Sequence, residues 1–295
     1  MSKRSKSEKY APNIVVFLVE GDSDKIALEA PLAELIYKKF PNYKVCFLLQ
    51  ERKVNKAGNE LEDADCNEED DENLNNDDEE FIDDVEYAYG GDITTSSFVT
   101  PSNIETKITR RFVMPATRKD GIYPKKIAKI IHIVDLDGAY IPNGNIMPYS
   151  FERQGYEKVF YDDEKGVIET ADVEAIIDRN DRKRQNLEHL LNLPESKIKI
   201  KSKSIPYEIY FFSSNLDHFI NKDANLERDK KRRANEFIRN YGLETETFVK
   251  YFFEDKCSIG KMGYEESWRY IKNDSNSVKR YTNIDCLIRS LTADN

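Results

Sequence analysis

The sequence predicts an α/β fold with a central, mostly parallel β-sheet, an acidic disordered insertion and a helical C-terminal region. Two continuous apolar runs, Ile14 to Val19 and Ile127 to Val134, are typical of central parallel strands that are buried on both faces. A predicted helix at residues 24 to 40 and a strand at residues 43 to 49 follow the first run. Together with that run they predict a right-handed β-α-β unit.

The later part of the chain predicts further helices and one more strand. Residues 171 to 193 carry Ile and Leu at helical spacing, and the aromatic-rich residues 206 to 220 predict another helix, opened by Pro206. Between them, residues 196 to 205 alternate Lys and Ile over their first half, which indicates a strand with one solvated face. Residues 93 to 124 are interpreted as mixed loops and short strands.

A strongly acidic segment at residues 56 to 91 interrupts this pattern. Residues 60 to 86 hold 16 acidic side chains and no Lys or Arg. Such a composition cannot bury enough apolar area to offset its ordering entropy, which predicts a mostly disordered insertion. We expect it to interrupt an α/β domain of residues 10 to 222, with residues 223 to 295 forming the helical C-terminal region.

The distribution of charge indicates a polyanionic partner. Outside residues 60 to 86 the chain has 39 acidic and 45 basic residues, so this part is positively charged although the whole chain has a net charge of −10. A mildly basic body with one acidic segment suits a protein that binds a polyanion.

The sequence also predicts the cellular compartment. No stretch approaches the length of a membrane span, and the basic N-terminus lacks the apolar region of a secretory signal. The four cysteines show no paired spacing, which argues against a disulfide framework. We therefore expect a soluble, cytoplasmic protein without a membrane partner.

Both apolar runs end in acidic residues that are followed by glycine. Glu20 and Gly21 follow the first run, and Asp135 and Asp137 precede Gly138 after the second. The carboxyl ends of parallel strands share one edge of a sheet, so these acidic side chains could converge there. Carboxylate oxygens suit Mg²⁺ or Mn²⁺, whereas the three dispersed histidines argue against zinc. The sequence therefore predicts a divalent metal site.

The two acidic motifs resemble the Toprim domain of topoisomerases, bacterial primases, ribosomal-RNA maturases and overcoming-lysogenisation nucleases. In "VFLVEGDSDK", Glu20 and Asp24 match the acids of Glu-Gly-x-x-Asp, and in "IIHIVDLDG", Asp135 and Asp137 match Asp-x-Asp. The stretch "PYEIYFFSSNLDHFI", which contains Glu208, is similar to a segment of small stand-alone Toprim proteins of the RloB and AriB kind in phage-defence loci. The fold that this resemblance implies is a Rossmann-like Toprim core.

The resemblance implies a metal-dependent nuclease, the effector of an antiphage (abortive infection) system. Glu20 would be a metal ligand or the general acid/base, and Asp135 and Asp137 would hold Mg²⁺ or Mn²⁺. Asp24 and Glu208 would be further catalytic residues. Relatives often work with a separate ATPase of the ABC or SMC kind, and the chain has no phosphate-binding loop of its own. Homodimerisation is one way in which such an effector could be restrained.

A nuclease also needs cationic side chains that contact the phosphate backbone. The candidates lie in the Lys-Ile alternation and in a basic helix predicted after residue 222. They are Lys201, Lys203, Arg228, Lys230, Lys231, Arg232 and Arg233.

Two other functions would use the same acidic residues. "IVDLDG" also resembles the nucleophile motif of haloacid-dehalogenase phosphatases, in which Asp135 would be phosphorylated and Asp137 would be the acid/base. That family's late Gly-Asp motif is absent, and Glu20 would have no role in it. A non-catalytic Toprim-like sensor or partner-binding protein is the second alternative.

Overall fold

A five-stranded sheet with strand order β2-β1-β5-β10-β9 forms the centre of the molecule. The structure is a computed structural model that describes residues 12–62, 85–153, 155, 158–226, 228–254 and 262–293. The strands of the described residues are β1 (Ile14–Val19), β2 (Lys44–Leu49), β3 (Glu51–Asn55), β4 (Val85–Tyr89), β5 (Ile127–Asp135), β6 (Ile146–Pro148), β7 (Phe160–Asp162), β8 (Val167–Thr170), β9 (Lys197–Ile200) and β10 (Lys203–Phe212).

Helices cover both faces of this sheet. They are α1 (Asp22–Lys39), α2 (Ile104–Ile108), α3 (Met114–Asp120), α4 (Val173–Leu191), α5 (Leu216–Asn221), α6 (Lys230–Phe237), α7 (Thr245–Glu254), α8 (Tyr264–Ile271) and α9 (Ile284–Thr292). Single π-helical turns at Thr109–Val113 and Ile238–Gly242 follow α2 and α6. Within the described residues, no helix combines the length and the apolar character that crossing a bilayer requires.

The four strands β2, β1, β5 and β10 are parallel, and β9 pairs with β10 in the antiparallel direction at one edge. Strand β1 shows why the sheet forms the core, since all six of its residues are buried. Val16 and Leu18 share a hydrophobic cluster with residues of α2 and α4, while Val15 and Phe17 share another with residues of α1, α7 and α9. The prediction of a mixed α/β fold with a mostly parallel sheet and C-terminal helices is confirmed.

The helix predicted at residues 206 to 220 is wrong. Lys203–Phe212 form β10, and only Leu216–Asn221 are helical. Tyr, Ile and Phe favour strands, and a short apolar run that is buried on both faces has no periodicity to separate a strand from a helix. The strand predicted at residues 196 to 205 is divided at Lys201, whose left-handed φ of 54° lies in the turn between β9 and β10.

The loops and short strands predicted for residues 93 to 124 are also wrong over the second half of that range. α2, the π-helical turn and α3 follow one another there. Ile104, Ile108 and Phe112 are all buried and lie four residues apart. This spacing is visible in the sequence and indicates one apolar face of a helix.

Strands β3 and β4 precede and follow most of the acidic segment in the sequence, and they pair as a hairpin. The insertion predicted at residues 56 to 91 therefore includes an ordered strand, because β4 pairs with β3 along its whole length. Residues 63–84 lie outside the described residues. Near the hairpin, buried Arg111 forms an ion pair of 2.6 Å with Glu60. This ion pair connects the hairpin region to the π-helical turn between α2 and α3. The end of β4 lies next to the end of β1.

Candidate metal centre

The candidate site lies at the carboxyl edge of the parallel sheet, between β1 and β5. From β1 the chain continues to β2 on one side, and after β5 it adds β10 on the other. The gap between β1 and β5 is therefore a topological switch point, the place at which open α/β sheets bind ligands. Glu20 follows β1 directly, and Asp135 is the last residue of β5.

Three carboxylates converge at this edge. One oxygen atom each of Glu20, Asp92 and Asp137 lies within 4.8 Å of the other two, and this is the only such acidic group found among the described residues. Asp92 belongs to the loop after β4, so it reaches the site from a different part of the chain. We call these three residues the carboxylate cluster. Oxygen donors at this spacing could hold one divalent metal ion.

Asp135 lies beside the carboxylate cluster without being a member of it. Its backbone N–H donates a hydrogen bond to Oε1 of Glu20 (2.9 Å), and its Oδ1 accepts one from the N–H of Leu216 (3.1 Å). Asp137 has a left-handed backbone with φ of 49°. Its side-chain direction therefore does not follow from that of Asp135, as it would in an extended strand. The structure thus groups Glu20 and Asp137 with Asp92, and metal binding by Asp135 stays a prediction.

A buried lysine bridges two members of the carboxylate cluster. Nζ of Lys183 lies 2.8 Å from Asp92 and 2.7 Å from Asp137, and its side chain has no exposed surface. Burial opposes the charge of Lys183, but Asp137, Asp92 and Glu20 outweigh it and raise the pKa of Lys183 well above its usual range. The ammonium group therefore stays charged and neutralises part of the cluster.

The carboxyl groups of the site differ in how readily they ionise. Burial raises the pKa of Glu20 well above its usual range, with a further contribution from Asp92. Burial and the neighbouring Asp24 raise the pKa of Asp135 in the same way. Burial also opposes the charge of Asp92, but Lys183 and hydrogen bonds from Thr94 outweigh it and lower the pKa of Asp92. A cation would stabilise the ionised forms of Glu20 and Asp135, which burial and the neighbouring carboxylates disfavour.

Two glycines bring Asp92 to the cluster. Gly90 and Gly91 have φ of 86° and 100°, which other residues rarely adopt. The N–H of Gly91 donates to the carbonyl oxygen of Glu20 (2.6 Å), and the N–H of Gly90 donates to that of Gln50 (2.9 Å). A Cβ atom on Gly90 would lie 2.8 Å from the Glu20 oxygen. Glycine therefore allows the hairpin to approach β1 this closely.

We expect Gly90→Ala to weaken both the fold and the site. A left-handed backbone costs an L-residue about 1–2 kcal/mol, and the added methyl group would also push the hairpin away from Glu20. Urea unfolding and Mn²⁺ titration measure the two effects. Gly58→Ala is the matched control, because Gly58 has φ of 79° but nothing within 4 Å of the added Cβ. Equal losses of stability and Mn²⁺ affinity in both variants would contradict a specific role for the close approach at Gly90.

Asp24 is a second buried carboxyl group next to the cluster. It is 7% exposed, and its Oδ2 accepts a hydrogen bond of 2.8 Å from the N–H of Gly21 at the start of α1. Burial raises the pKa of Asp24 to about 7, Asp217 adds to the shift, and the Gly21 hydrogen bond and Lys230 oppose it. Asp24 is therefore both a helix cap and a group that titrates near neutral pH.

This shift predicts a pH-dependent effect of Asp24→Asn. Because the pKa of Asp24 is raised in the folded state, its contribution to stability is full at about pH 4 and is lost as the pH rises through about 7. Asparagine keeps the oxygen that accepts from Gly21 and cannot ionise. In EDTA the variant should gain stability over the wild type across this window, by up to about 4 kcal/mol. A difference between the two proteins that does not change with pH would contradict the assignment.

The structure does not bring Glu208 to the carboxylate cluster. Glu208 lies four residues before the end of β10, about 13 Å along the strand. It forms an ion pair with Lys129 (2.6 Å) and accepts a hydrogen bond from the hydroxyl of Tyr210 (2.9 Å). Its predicted catalytic role has no support in these contacts.

The two lysines predicted as nucleic-acid contacts near β9 lie at the opposite edge of the sheet. Lys201 is in the turn before β10, and Lys203 is the first residue of β10, about 30 Å from its carboxyl end. The ammonium group of Lys203 donates to three backbone carbonyl groups, those of Pro124 (3.2 Å), Lys125 (3.0 Å) and Ile127 (2.8 Å). These contacts give Lys203 a structural role.

The predicted basic helix is α6, which packs against α1 beside the site. Its cations are paired with carboxylates of the same region. The pairs are Lys230–Asp217 (3.8 Å), Lys231–Asp22 (2.6 Å), Arg232–Glu236 (2.7 Å) and Arg233–Asp217 (3.2 Å), and the carbonyl group of Arg228 accepts from Arg233. Much of this positive charge is therefore compensated within the protein, and phosphate binding by these residues stays a prediction.

Two members of the site were missed by sequence reasoning, although the sequence carries a signal for each. Asp92 follows Gly90 and Gly91, which repeats the pairing of acid and glycine seen after β1 and β5. Lys183 lies seven residues after Ile176 and seven before Leu190, so it occupies the apolar stripe of α4. A lysine in such a stripe needs a buried anionic partner.

Comparison of the chain with models of protein families, with curated proteins and with solved structures finds no match. The Toprim resemblance therefore rests on the motifs of the chain itself. The contacts of the carboxylate cluster are independent of that resemblance.

Proposed function

We propose that the protein is a metal-dependent nuclease that cleaves phosphodiester bonds, built on a Rossmann-like Toprim core. The observation that supports the proposal most is the convergence of Glu20, Asp92 and Asp137 within 4.8 Å at the switch point of the sheet. Such points bind ligands in open α/β sheets, and acidic clusters with divalent ions act on phosphate esters.

The donor set fits Mg²⁺ or Mn²⁺. It consists of carboxylate oxygens, which hard cations prefer, and it includes neither histidine nor cysteine. Glu20, Asp92 and Asp137 would hold the ion, with Asp135 as a further candidate. When bound, the ion would stabilise negative charge on the phosphate and its leaving oxygen.

The residues around the ion would have separate roles. Glu20 is held by the N–H of Asp135 and, besides holding the ion, its carboxylate would accept a proton from the attacking water. Lys183 orients Asp92 and Asp137 through its two ion pairs. The site would thus keep its geometry before the substrate arrives.

Two arginines of α4 could bind the substrate phosphates. Arg179 donates to the backbone carbonyl of Asp137 (2.9 Å), and Arg182 donates to that of Thr95 (3.3 Å). Both are only partly buried, and both precede Lys183 within four residues of the same helix. Guanidinium groups next to an acidic metal site are suited to phosphate contacts.

The test is cleavage of plasmid, single-stranded DNA and total tRNA with Mg²⁺ or Mn²⁺ and with EDTA. We expect internal cleavage of at least one substrate that requires the metal. Release of phosphate from monoesters without internal cleavage would instead favour the haloacid-dehalogenase alternative. Metal binding without either reaction, also in the presence of a partner ATPase, would favour the non-catalytic sensor.

The cellular role is proposed from the resemblance alone. It implies an antiphage effector in the cytoplasm that acts with a separate ATPase of the ABC or SMC kind, or that is restrained as a homodimer. Growth arrest on expression of the wild type together with a partner ATPase of that kind, and its absence with Glu20→Gln, would support this role.

A further inference from the structure

We infer that the β3–β4 hairpin carries a binding site for unpaired bases of a single-stranded nucleic acid, next to the carboxylate cluster. The inference rests on the proposed function in naming nucleic acid as the ligand. The site consists of Tyr87 and Tyr89 on β4 with the cations around them, and we call it the tyrosine face.

Tyr87 and Tyr89 lie on the same face of the hairpin and are open to solvent. They are two residues apart on one strand, opposite Lys53 and Glu51 of β3. Their exposed fractions are 47% and 58%, which is unusual for two large aromatic side chains on one short strand. Alternate residues of a strand are about 7 Å apart. Because stacked bases rise about 3.4 Å each, this spacing leaves room for one base between two rings.

Cations surround the tyrosine face. Nζ of Lys119 lies 2.7 Å from the hydroxyl of Tyr89 and 4.7 Å from the centre of its ring. Lys119 and Arg118 both pair with Glu51, yet their side chains remain 50% and 54% exposed. With Lys53 opposite Tyr87, three cations face one carboxylate. Exposed aromatic rings with adjacent positive charge are the features by which proteins bind single strands.

The tyrosine face lies close to the candidate metal centre along the chain. Tyr89 precedes Asp92 by three residues, so their Cα atoms are at most about 11 Å apart. Gly91 between them is hydrogen-bonded to the carbonyl group of Glu20. A strand whose bases stack on the tyrosines would therefore place its backbone near the carboxylate cluster. A duplex cannot use this face in the same way, because its bases are already stacked inside.

The test is fluorescence anisotropy with labelled oligothymidylate and with an abasic strand of the same length, in EDTA. The wild type should bind oligothymidylate more tightly than the abasic strand. The Y87A/Y89A variant should lose about 5- to 150-fold in affinity for each stacked base and bind the two strands alike. The Y87F/Y89F variant should bind like the wild type, because phenylalanine keeps the ring. Tyr37→Ala is the control for loss of an exposed tyrosine elsewhere, since Tyr37 is 45% exposed on α1.

Equal binding of oligothymidylate by the wild type and Y87A/Y89A would overturn the inference, as would equal binding of both strands by the wild type. If the wild type binds both strands equally, a protein partner is the better explanation of the exposed tyrosines. The assay requires neither metal nor cleavage, so its outcome is separate from that of the nuclease proposal. Base-dependent binding without any cleavage would support the tyrosine face and count against the nuclease.

Discussion

Glu20→Gln is expected to abolish metal-dependent cleavage, with a loss of about 1000-fold or more in kcat. Glutamine preserves the size of the side chain and its hydrogen bond from Asp135, but it removes the negative charge and the proton acceptor. Stabilisation by a metal ion amounts to several kcal/mol, and about 4 kcal/mol corresponds to a factor of about 1000. Single-turnover cleavage with saturating Mg²⁺ would measure the effect.

Glu208→Gln is the matched control for this loss. By sequence, Glu208 lies in the stretch that is similar to the stand-alone Toprim proteins, but in the structure it lies about 13 Å from the end of β10 and pairs with Lys129. We expect the variant to cleave within a few-fold of the wild type. Equal losses in the two variants would contradict the placement of the reaction at the carboxylate cluster.

The second large effect is expected from Lys183→Met, on stability. Removing the ammonium group leaves Asp92 and Asp137, whose side chains are only 10% and 25% exposed, without their common partner. Breaking a buried pair in this way costs about 3–5 kcal/mol. Urea unfolding in EDTA should show this loss, and Mn²⁺ should restore part of it, because an ion that binds the folded state adds to its stability.

Lys129→Met separates this effect from the loss of any ion pair. Lys129 pairs with Glu208, and both side chains are 33% exposed, so the variant should lose no more than about 1 kcal/mol. Mn²⁺ should stabilise Lys129→Met and the wild type to the same extent. If Lys183→Met were as stable as Lys129→Met, or gained nothing more from Mn²⁺ than the wild type, the bridging role would be contradicted.

The fold class was predictable because the two central strands are visible in the sequence as apolar runs. Ile14–Val19 and Ile127–Val134 are mainly apolar runs that are each followed by an acid, and parallel pairing then brings Glu20 and Asp135 to one edge. β10 was missed because an aromatic run buried on both faces has no distinguishing period. The helices after residue 103 were missed although Ile104 and Ile108 show the spacing.

The composition of the site was predictable only in part. Glu20 and Asp137 follow core strands, so local sequence indicates them. Asp92 comes from a hairpin beyond the acidic segment. The glycines before it are a local signal, but the contact of Gly90 and Gly91 with Glu20 and Gln50 that brings Asp92 to the site is tertiary. The left-handed φ of Asp137 gives its side chain a different direction from that expected for an extended strand, and sequence periodicity does not show this.

The most direct measurement is a Mn²⁺ titration, followed by electron paramagnetic resonance, of the wild type, Asp92→Asn and Glu208→Gln without substrate. The carboxylate cluster as the metal centre predicts that the wild type and Glu208→Gln bind Mn²⁺ alike, and that Asp92→Asn loses at least about 10-fold in affinity, since one charged ligand of three is removed. Mn²⁺ binding by Asp92→Asn with the affinity of the wild type would contradict it.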